Sequence, residues 1–404
     1  MNGMALVGAS AGGLATAEAL RRAGHRGGIT LVGDEPHLPY DRPPLSKQFL
    51  KGDWELDRLA LRARADIDAL DLDLRLGVRA TGLDVAARTV SLSDGTRLSY
   101  AALVVATGVR ARRLPGTEGV AGVHTLCTLA DAVALKARLC AGRRLVIVGA
   151  GFLGAEVAAV ARGLGVEVTL LEADPVPMAQ AVGEQAGRFL SRLHGDHGVR
   201  LLTGATVAEV FSADGETVGV ELADGRVLPA DDVLVAIGSI PNTEWLADSG
   251  LALGGGLVCD RYSAAAPDVY GVGDVACWHN PLFDTVMRVE HRTNAGEQAL
   301  TVAHNLLNPE DRRPFAPVPY FWSDQYDTRI QAYGYLREHD ESLVLDSDVT
   351  GGRLLVAYRR GDRLTGVLAV GKSPKALRAY RALIASGATW DMAAPVMATA
   401  SPAS

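Results

Sequence analysis

The 404-residue sequence lacks several features that define other classes of protein. Its four cysteines, Cys127, Cys140, Cys259 and Cys277, form no CxxC pair and have no metal-ligand spacing. No apolar run is long enough to span a bilayer, and the first residues show neither the basic segment nor the cleavage site of a signal peptide. The formal net charge of −7 argues against nucleic acid as the main partner. We therefore expect a cytoplasmic protein with reduced thiols, no bound metal and no membrane segment.

The chain has the length of two or three domains, and enough apolar residues to build their cores. Hydrophobic residues make up 48% and charged residues 22%, a balance that rules out a wholly disordered chain. Short apolar runs bounded by glycine alternate with helical stretches rich in alanine and leucine. We predict buried parallel strands at residues 4–7, 29–32, 103–106, 145–148, 168–171 and 233–237, and helices at 14–22 and 153–162. This alternation predicts an α/β fold with parallel sheets.

One arrangement occurs twice, at residues 5–34 and 146–172: a strand, a glycine turn, a helix, a second strand and an acid. The second copy reads GAGFLG at residues 149–154 and matches the GxGxxG fingerprint in full. Its first glycine permits the tight turn, its second lets the backbone approach a pyrophosphate, and its third lets helix and strand pack closely. Glu172 can accept hydrogen bonds from the adenine ribose and would repel a 2′-phosphate. Since residues 173–178 contain no arginine, the sequence favours NADH; the plainer alternatives are a turn without a ligand and a solvated carboxylate.

The first copy reads GASAGG at residues 8–13, with Ser10 where the second glycine belongs. Serine is small and its neighbours include glycines, so the turn remains permissive. Asp34 and Glu35 follow the second strand and could hold a ribose, and the spacing favours Asp34. Two shorter echoes, at residues 106–108 and 236–238, each close a hydrophobic strand. We therefore predict one dinucleotide site in each copy.

The sequence pattern changes after about residue 312, where three prolines precede an aromatic cluster at residues 320–322. Strand-like runs at 354–358 and 364–370 and a helix around 375–384 predict a third, α+β domain. We expect the tail after Met392, rich in Ala, Ser and Pro, to be frayed.

Several segments resemble a known family. They are GDEP at 33–36, YDRPPLSK at 40–47, GVGD at 271–274, RVEH at 288–291 and FWSDQ at 321–325. In these residues the chain is similar to the FAD-dependent NAD(P)H:ferredoxin reductases of bacterial cytochrome P450 and Rieske dioxygenase systems, the putidaredoxin reductase-like group. The resemblance covers nearly the whole chain, and PPLSK and FWSDQ are specific to this group.

The resemblance implies two Rossmann-like dinucleotide-binding domains, glutathione-reductase-like, plus a C-terminal α+β domain. The FAD domain would comprise residues 1–109 and 230–312, the NAD domain 110–229 and the C-terminal domain 313–404. The implied reaction carries electrons from NADH through FAD to an iron–sulfur ferredoxin of the 2Fe–2S type or similar. The ferredoxin would dock transiently and electrostatically, and would serve a cytochrome P450 or a Rieske oxygenase.

The resemblance also implies roles for single residues. Lys47 would lie beside the flavin and stabilise its reduced, anionic form, while Glu156 would pair with Lys47 and touch the nicotinamide carboxamide; these two are the candidate catalytic residues. Asp274 would bind the ribityl chain and Trp322 would border the flavin ring. The full set of candidate cofactor-binding residues is Gly8, Ser10, Ala11, Gly12, Gly13, Asp34, Glu35, Arg42, Lys47, Ala80, Ala106, Thr107, Gly108, Gly149, Gly151, Phe152, Leu153, Gly154, Glu156, Glu172, Ala236, Ile237, Gly238, Gly273, Asp274, Glu290, His291, Arg292 and Trp322.

The chain departs from the family pattern at two positions. Cys127 stands where the family often has arginine, which removes an expected polar contact to FAD. Arg292 stands where the family often has an aromatic residue, so the nicotinamide side of the flavin is expected to differ. Three residues also have plainer interpretations: Asp274 as a helix N-cap, Trp322 as a core aromatic and Lys47 as a solvated lysine.

Other enzyme classes share this type of fold. Disulfide reductases and NADH peroxidases need a redox cysteine after the FAD acid, and residues 36–50 contain none. An NADH oxidase or diaphorase without ferredoxin, a rubredoxin-type acceptor and a non-enzymatic NADH-sensing flavoprotein stay open. For an acidic ferredoxin we predict a locally basic docking face, although such arginines are more often a solvated surface. The candidates are Arg58, Arg62, Arg64, Arg110, Arg112 and Arg113.

Overall fold

The computed structural model describes residues 3–398. The strands are β1 Met4–Val7, β2 Ile29–Gly33, β3 Asp73–Leu76, β4 Ala80–Asp84, β5 Thr89–Leu92, β6 Arg97–Ser99, β7 Ala102–Val105, β8 Val109–Ala111, β9 Val123–His124, β10 Arg144–Val148, β11 Glu167–Leu171, β12 Arg200–Leu202, β13 Val207–Ala213, β14 Glu216–Leu222, β15 Val227–Pro229, β16 Asp232–Val235, β17 Ser239–Pro241, β18 Leu257–Cys259, β19 Ala264–Ala266, β20 Val269–Gly271, β21 Ala276–Asn280, β22 Thr285–Met287, β23 Tyr320–Gln325, β24 Thr328–Gly334, β25 Glu341–Asp348, β26 Arg353–Arg360 and β27 Arg363–Val370. The α-helices are α1 Ala11–Arg22, α2 Gln48–Lys51, α3 Arg64–Asp68, α4 Leu129–Arg138, α5 Phe152–Gly163, α6 Ala179–Asp196, α7 Arg292–Leu307, α8 Arg378–Ala385 and α9 Trp390–Ala398. No helix in the described range is long and apolar enough to cross a membrane.

The chain divides into two compact units, each built from three segments. The first unit contains the residues up to Asp41, Leu56–Arg110 and Ile240–Pro319. The second unit contains Arg42–Glu55, Ala111–Ser239 and the residues from Tyr320 onward. The short segment Arg42–Glu55, which carries Lys47, therefore groups with the middle of the chain. The domain boundaries expected from the family stay a prediction.

The first unit is organised around a six-stranded sheet in the order β19-β20-β7-β1-β2-β3. All neighbours in it are parallel except β19 and β20. Helices α1 and α7 pack together against the sheet, where Leu6, Leu31 and Val104 meet Leu20 and Val302 in one apolar cluster. Strands buried in this way must be apolar at successive positions, which is the pattern seen in the sequence.

The second unit contains a five-stranded parallel sheet in the order β12-β11-β10-β16-β9. It also contains a five-stranded antiparallel sheet in the order β23-β24-β27-β26-β25. Helix α6 packs on the antiparallel sheet, where Val182, Phe189 and Leu190 meet Val356 and Leu368. The hydroxyl of Tyr358 donates to the Val182 carbonyl at 2.6 Å, which ties the sheet to the helix.

The predicted strands and helices are confirmed, with ends that differ by up to three residues. The runs 103–106 and 233–237 end early, at Val105 and Val235, because the next backbone enters turns beside the glycine loops. The small antiparallel sheets β4-β5-β6 and β13-β14-β15 were not among the predicted elements.

The prediction of a frayed tail after Met392 is wrong as far as Ala398, because α9 continues through this segment. Ala393 and Met397 lie four residues apart on one helical face, and both are buried. Composition alone missed this spacing. The rest of the tail, residues 399–404, lies outside the described residues.

Candidate functional site: two glycine turns and a buried lysine–glutamate pair

The two glycine turns have the same geometry at their first position. Gly8 has φ +124° and Gly149 has φ +104°, a backbone conformation that side chains rarely adopt. A Cβ on Gly8 would lie 2.0 Å from the Ala106 carbonyl oxygen, and one on Gly149 would lie 2.4 Å from the Ala236 carbonyl oxygen. The two short echoes in the sequence are therefore the segments against which the first glycines pack.

The third glycines are equally constrained. A Cβ on Gly13 would lie 2.1 Å from the Gly8 carbonyl oxygen, and one on Gly154 would lie 2.1 Å from the Gly149 carbonyl oxygen. The middle position differs, because a Cβ on Gly151 would meet nothing within 4 Å. That open space beside a turn is where a phosphate can approach the backbone.

The helices that follow the turns fit an anion. Neither α1 nor α5 has a side-chain hydrogen bond at its N-cap, Ser10 or Gly151, and neither has an acid in its first turn. Their first backbone N–H groups have no acceptor within the helix, and the helix dipole favours negative charge there. Ala11, Gly12, Phe152 and Leu153 belong to these first turns. The donor set therefore fits the pyrophosphate of FAD at one turn and of NADH at the other.

The acids after the second strands lie at matching positions. Asp34 directly follows β2 and is exposed, whereas Glu35 is half-buried and its Oε2 accepts from the Tyr40 hydroxyl at 2.6 Å. Glu172 directly follows β11, and its two carboxylate oxygens accept from the backbone N–H groups of Ala150 and Asp174, each at 3.1 Å. Those bonds aim the carboxylate at the glycine turn, and each oxygen retains a lone pair for a ribose hydroxyl.

Lys47 and Glu156 form a buried ion pair within the second unit. The Lys47 Nζ lies 2.6 Å from Glu156 Oε2, and the side chains are 10% and 7% exposed. Nζ also donates to the Pro43 carbonyl at 3.1 Å. The interpretation of Lys47 as a solvated surface lysine is therefore wrong. The predicted contact between Lys47 and Glu156 is present.

Two serines that sequence reasoning did not single out complete the surroundings of Glu156. Ser46 Oγ donates to Oε2 at 2.6 Å, and Ser323 Oγ donates to Oε1 at 2.7 Å. Ser323 and Gln325 are the fully buried polar residues of β23, alternating with half-buried Trp322 and Asp324. The alternation is one of burial and not of residue type, since residues 323–325 are all polar, so the sequence pattern did not single out Ser323.

The candidate residues of the first unit lie in turns and short strands. Gly273 has φ +76°, and its N–H donates to Gln298 Oε1 at 2.8 Å. Asp274 lies in the 3-10 turn Gly273–Val275, which leads into β21, so its interpretation as the N-cap of a following helix is wrong. Thr107 Oγ1 donates to the Asn242 carbonyl at 2.8 Å, next to Gly108 in its turn. Ala80 begins β4 and is buried.

Both departures from the family pattern have partners. Arg42 donates from Nη1 to the Cys127 carbonyl, and Nη1 lies 3.6 Å from Cys127 Sγ. The guanidinium group of Arg42 therefore contacts residue 127, where the family often has an arginine. Arg292 begins α7 and pairs with Asp41, with Nε 2.7 Å from Oδ1. Its positive charge is thereby tied to a carboxylate of the same unit.

The remaining candidates lie around these elements. Glu290 is exposed and pairs with Arg288 at 2.6 Å, and His291 is the N-cap of α7. Trp322 stacks on Tyr320 with ring centroids 6.1 Å apart. Phe152 packs on Phe321 at 4.8 Å, while Ile237 and Gly238 follow β16. Which of these residues touch a cofactor stays a prediction.

The predicted docking arginines are not equivalent. Arg62 pairs with Glu18 at 2.6 Å, Arg64 with Asp68 at 2.8 Å and Arg110 with Glu244 at 2.5 Å. Arg112 and Arg113 are exposed, and no carboxylate within the described residues pairs with either side chain. Of these five arginines, Arg112 and Arg113 are therefore the two whose positive charge is most available to a partner.

The cysteines do not form a redox centre. All four are free thiols, and Cys259 and Cys277 are buried. Burial raises the pKa of Cys259 to about 12, which keeps this thiol protonated and unreactive. Together with the lack of cysteine in residues 36–50, this disfavours a disulfide reductase.

Comparison with known proteins gives consistent matches along the chain. The family model described as pyridine nucleotide-disulphide oxidoreductase matches residues 3–299, and the one described as reductase C-terminal matches residues 320–400. The chain is 38% identical over 384 residues to rhodocoxin reductase from Rhodococcus erythropolis, covering 94% of this chain and 89% of that protein. It is 38% identical over 389 residues to the anthranilate 1,2-dioxygenase system ferredoxin–NAD(+) reductase component from Burkholderia cepacia, covering 96% and 95%.

Solved structures agree. The crystal structure of the covalent putidaredoxin reductase–putidaredoxin complex aligns with a TM-score of 0.91 at 33% identity, covering 96% of this chain and 93% of that one. The ferredoxin reductase for the CYP199A2 system from Rhodopseudomonas palustris aligns with a TM-score of 0.90 at 33% identity, covering 96% of each chain.

Proposed function

The chain belongs to the pyridine nucleotide-disulphide oxidoreductase family, and from this premise we propose that it is an FAD-dependent ferredoxin reductase. It passes electrons from NADH through FAD to a ferredoxin of the 2Fe–2S type or similar, which serves a cytochrome P450 or a Rieske oxygenase. The names of the relatives support this role. The observation in the chain itself that carries the proposal is the buried Lys47–Glu156 pair, and the geometry of the two glycine turns supports it.

The residues of the two turns bind and orient the cofactors. The amides that begin α1 and α5 receive the pyrophosphates, while Asp34 and Glu172 hold the adenosine riboses. Bound FAD would supply the chemistry that side chains cannot: hydride uptake from NADH and release of the electrons one at a time. The protein's share of the reaction is alignment of the two rings and control of the local charge.

Lys47 provides that charge. Its ammonium group would stabilise the negative charge of the reduced flavin, and this role requires no general base. Glu156 holds the lysine in one orientation through the 2.6 Å contact. Because the pair is buried, water screens this field little.

The ferredoxin is captured by charge. Ferredoxins of this kind are acidic, so exposed Arg112 and Arg113 support a locally basic docking face on a chain of net charge −7. The proposal includes a cytoplasmic location, which the four free thiols support.

One experiment tests the proposal as a whole. NADH is added to the FAD-loaded protein without oxygen, flavin bleaching is followed, and cytochrome c reduction is then measured with and without a 2Fe–2S ferredoxin. We expect rapid bleaching and cytochrome c reduction that depends on the ferredoxin. Equal cytochrome c reduction without ferredoxin would support a diaphorase instead, and slow turnover with every acceptor would support an NADH sensor.

The role of Lys47 has its own test. Lys47→Ala should slow anaerobic flavin reduction by NADH roughly 10- to 100-fold, since a charge aimed at the reacting ring is lost. Lys51→Ala is the matched control, because Lys51 lies four residues further on, is 60% exposed and pairs with exposed Asp53. An unchanged rate in the Lys47 variant would remove this lysine from the mechanism.

A further inference from the structure

Glu156 is the end of a longer chain of buried polar side chains in the second unit. From Ser323, which donates to Glu156, the chain continues to Gln325 Nε2, 3.2 Å from Ser323 Oγ. Gln325 Oε1 lies 3.1 Å from His194 Nε2, and His194 Nδ1 lies 2.9 Å from the Tyr326 hydroxyl. Ser323 and Gln325 are fully buried, and His194 is 2% exposed.

The carboxylate fixes the direction of every bond in this chain. An ionised Glu156 only accepts, so Ser323 must donate its one proton to it and accept from the Gln325 amide N–H. The Gln325 carbonyl oxygen must then accept from His194 Nε2–H. His194 is thereby the Nε2–H tautomer, whose bare Nδ1 accepts from Tyr326 O–H. Each donor points towards Glu156, and such aligned chains strengthen one another.

His194 can hold this position because it stays neutral. Burial lowers the pKa of its imidazole to about 4, with His197 nearby lowering it and the Gln325 bond raising it. A protonated ring would donate from both nitrogens and would lose the bond from Tyr326. At neutral pH the chain therefore has one hydrogen-bonding pattern.

The chain of hydrogen-bonded side chains reaches Glu156 at Oε1, whereas Lys47 contacts Oε2. Oε2 receives Lys47 and Ser46, while Oε1 receives Ser323 and has no other side-chain donor within the described residues. Without Ser323, the carboxylate could turn about its last torsion, since that torsion is broad and soft. The three elements that meet here, α5, β23 and α6, belong to different stretches of the sequence.

We propose that Ser323, Gln325 and His194 are positioning residues that hold the Glu156 carboxylate on Lys47 and thereby set the charge that faces the flavin. They touch neither reactant and act through Glu156. The proposal rests on the function proposed above for the Lys47–Glu156 pair. It adds a polar chain, starting at Tyr326, that tunes this pair.

The test compares Ser323→Ala with Thr365→Val in the FAD-loaded protein. Thr365 is also a buried hydroxyl of the antiparallel sheet, 6% exposed, and donates to the Tyr358 carbonyl at 3.4 Å without reaching Glu156. The first readout is acetylation of the Lys47 amine by acetic anhydride, followed by peptide mass spectrometry with exposed Lys51 as internal reference. The second is the midpoint potential of the flavin, measured by spectroelectrochemistry.

Ser323→Ala should raise Lys47 acetylation on the order of tenfold, because loss of a hydrogen bond to a charged group frees the carboxylate. It should also make the midpoint potential of the flavin more negative by about 30 mV. For a two-electron couple, this shift corresponds to a tenfold smaller equilibrium constant for reduction. The reason is that the freed Glu156 carboxylate no longer holds the Lys47 ammonium group in the orientation that stabilises the reduced flavin. Ser323→Thr should restore both values, and Gln325→Leu should change both in the direction of Ser323→Ala.

The outcomes separate the two proposals. Wild-type acetylation or a wild-type potential in Ser323→Ala overturns the positioning role, as does an equal change in Thr365→Val, which would mean general loosening. If acetylation and potential respond as expected but NADH bleaches the flavin of neither protein, the positioning role stands and the proposed function fails.

Discussion

Lys47 and Glu156 show how a buried charge pair is retained. Taking two charges out of water costs several kcal/mol, and a single ion pair recovers this only with good geometry and further hydrogen bonds. Here Ser46, Ser323 and the Pro43 carbonyl supply those bonds. A pair built for stability alone could be replaced by apolar residues, which is consistent with the role in the reaction that we propose for this pair.

Glu172 makes a prediction about cofactor choice. Its charge should repel the 2′-phosphate of NADPH, so Glu172→Gln should raise the ratio of kcat/KM for NADPH to that for NADH roughly tenfold. Steady-state kinetics with each cofactor measures the ratio. Glu167→Gln is the control, since Glu167 is exposed at the start of the same strand. An unchanged ratio would mean that Glu172 only holds the turn through Ala150 and Asp174.

At the scale of single elements, helix α6 carries one buried titratable residue in its last turn. His194 faces Gln325 and Tyr326 of the antiparallel sheet region, and His197 stacks on the Tyr326 ring at 3.6 Å. Packing of the helix against the sheet therefore depends on a neutral imidazole.

The stability of the protein should depend on pH through this residue. The pKa of His194 is lowered from 6.5 to about 4 in the fold, so between these values the unfolded chain binds more protons than the folded one. The free energy of unfolding should therefore fall as pH drops through this window, by on the order of 3 kcal/mol, and His194 should contribute no pH dependence above it. Urea unfolding above and inside the window measures this. The dependence of the free energy of unfolding on pH should weaken in His194→Gln and persist in a variant of exposed His197. An unchanged pH dependence in His194→Gln would contradict the assignment to His194.

Helix α9 makes a second prediction at this scale. Ala393 is fully buried and its neighbour Ala394 is exposed. Ala393→Asp should lower the stability by about 3 kcal/mol, because it buries a carboxylate without a partner, whereas Ala394→Asp should have little effect. Thermal unfolding of both variants measures the difference. Equal melting temperatures would show that the helix does not pack in solution.

At the scale of the whole molecule, two copies of one dinucleotide-binding arrangement do different work. Their first and third glycines are equivalent in conformation and packing, while the middle positions, Ser10 and Gly151, differ. The two copies therefore share the glycines that the backbone of the turn needs and differ at the middle position.

The charge of the whole chain makes the last prediction. The protein has a net charge of −7, so an acidic ferredoxin should be attracted only at a basic patch. Salt screens this attraction, and kcat/KM for ferredoxin should therefore fall as salt rises. Replacing Arg112 and Arg113 together by alanine should lower kcat/KM at low salt and flatten this dependence. Arg64→Ala should change little, because Asp68 already pairs with Arg64. Indifference of the wild type to salt would exclude electrostatic steering.

The sequence by itself determined the parallel strands, both glycine turns and the acids that follow them. These features depend on neighbouring residues, because a short apolar run bounded by glycine favours a strand followed by a turn. The candidates Lys47 and Glu156 came from short segments that resemble a family.

Only the tertiary structure decided how Glu156 is held. Ser46 and Ser323 reach Glu156, and His194 reaches Gln325, across separations of more than 100 residues, and no local pattern specifies such contacts. The same holds for Ala106 and Ala236, which the sequence showed only as the first residues of two similar short segments. In the structure their carbonyl groups pack against Gly8 and Gly149 and leave no room for a side chain there. Local propensity fixes the elements of a fold, while contacts between distant segments arise only when the elements pack, and these contacts give the site its charge and direction.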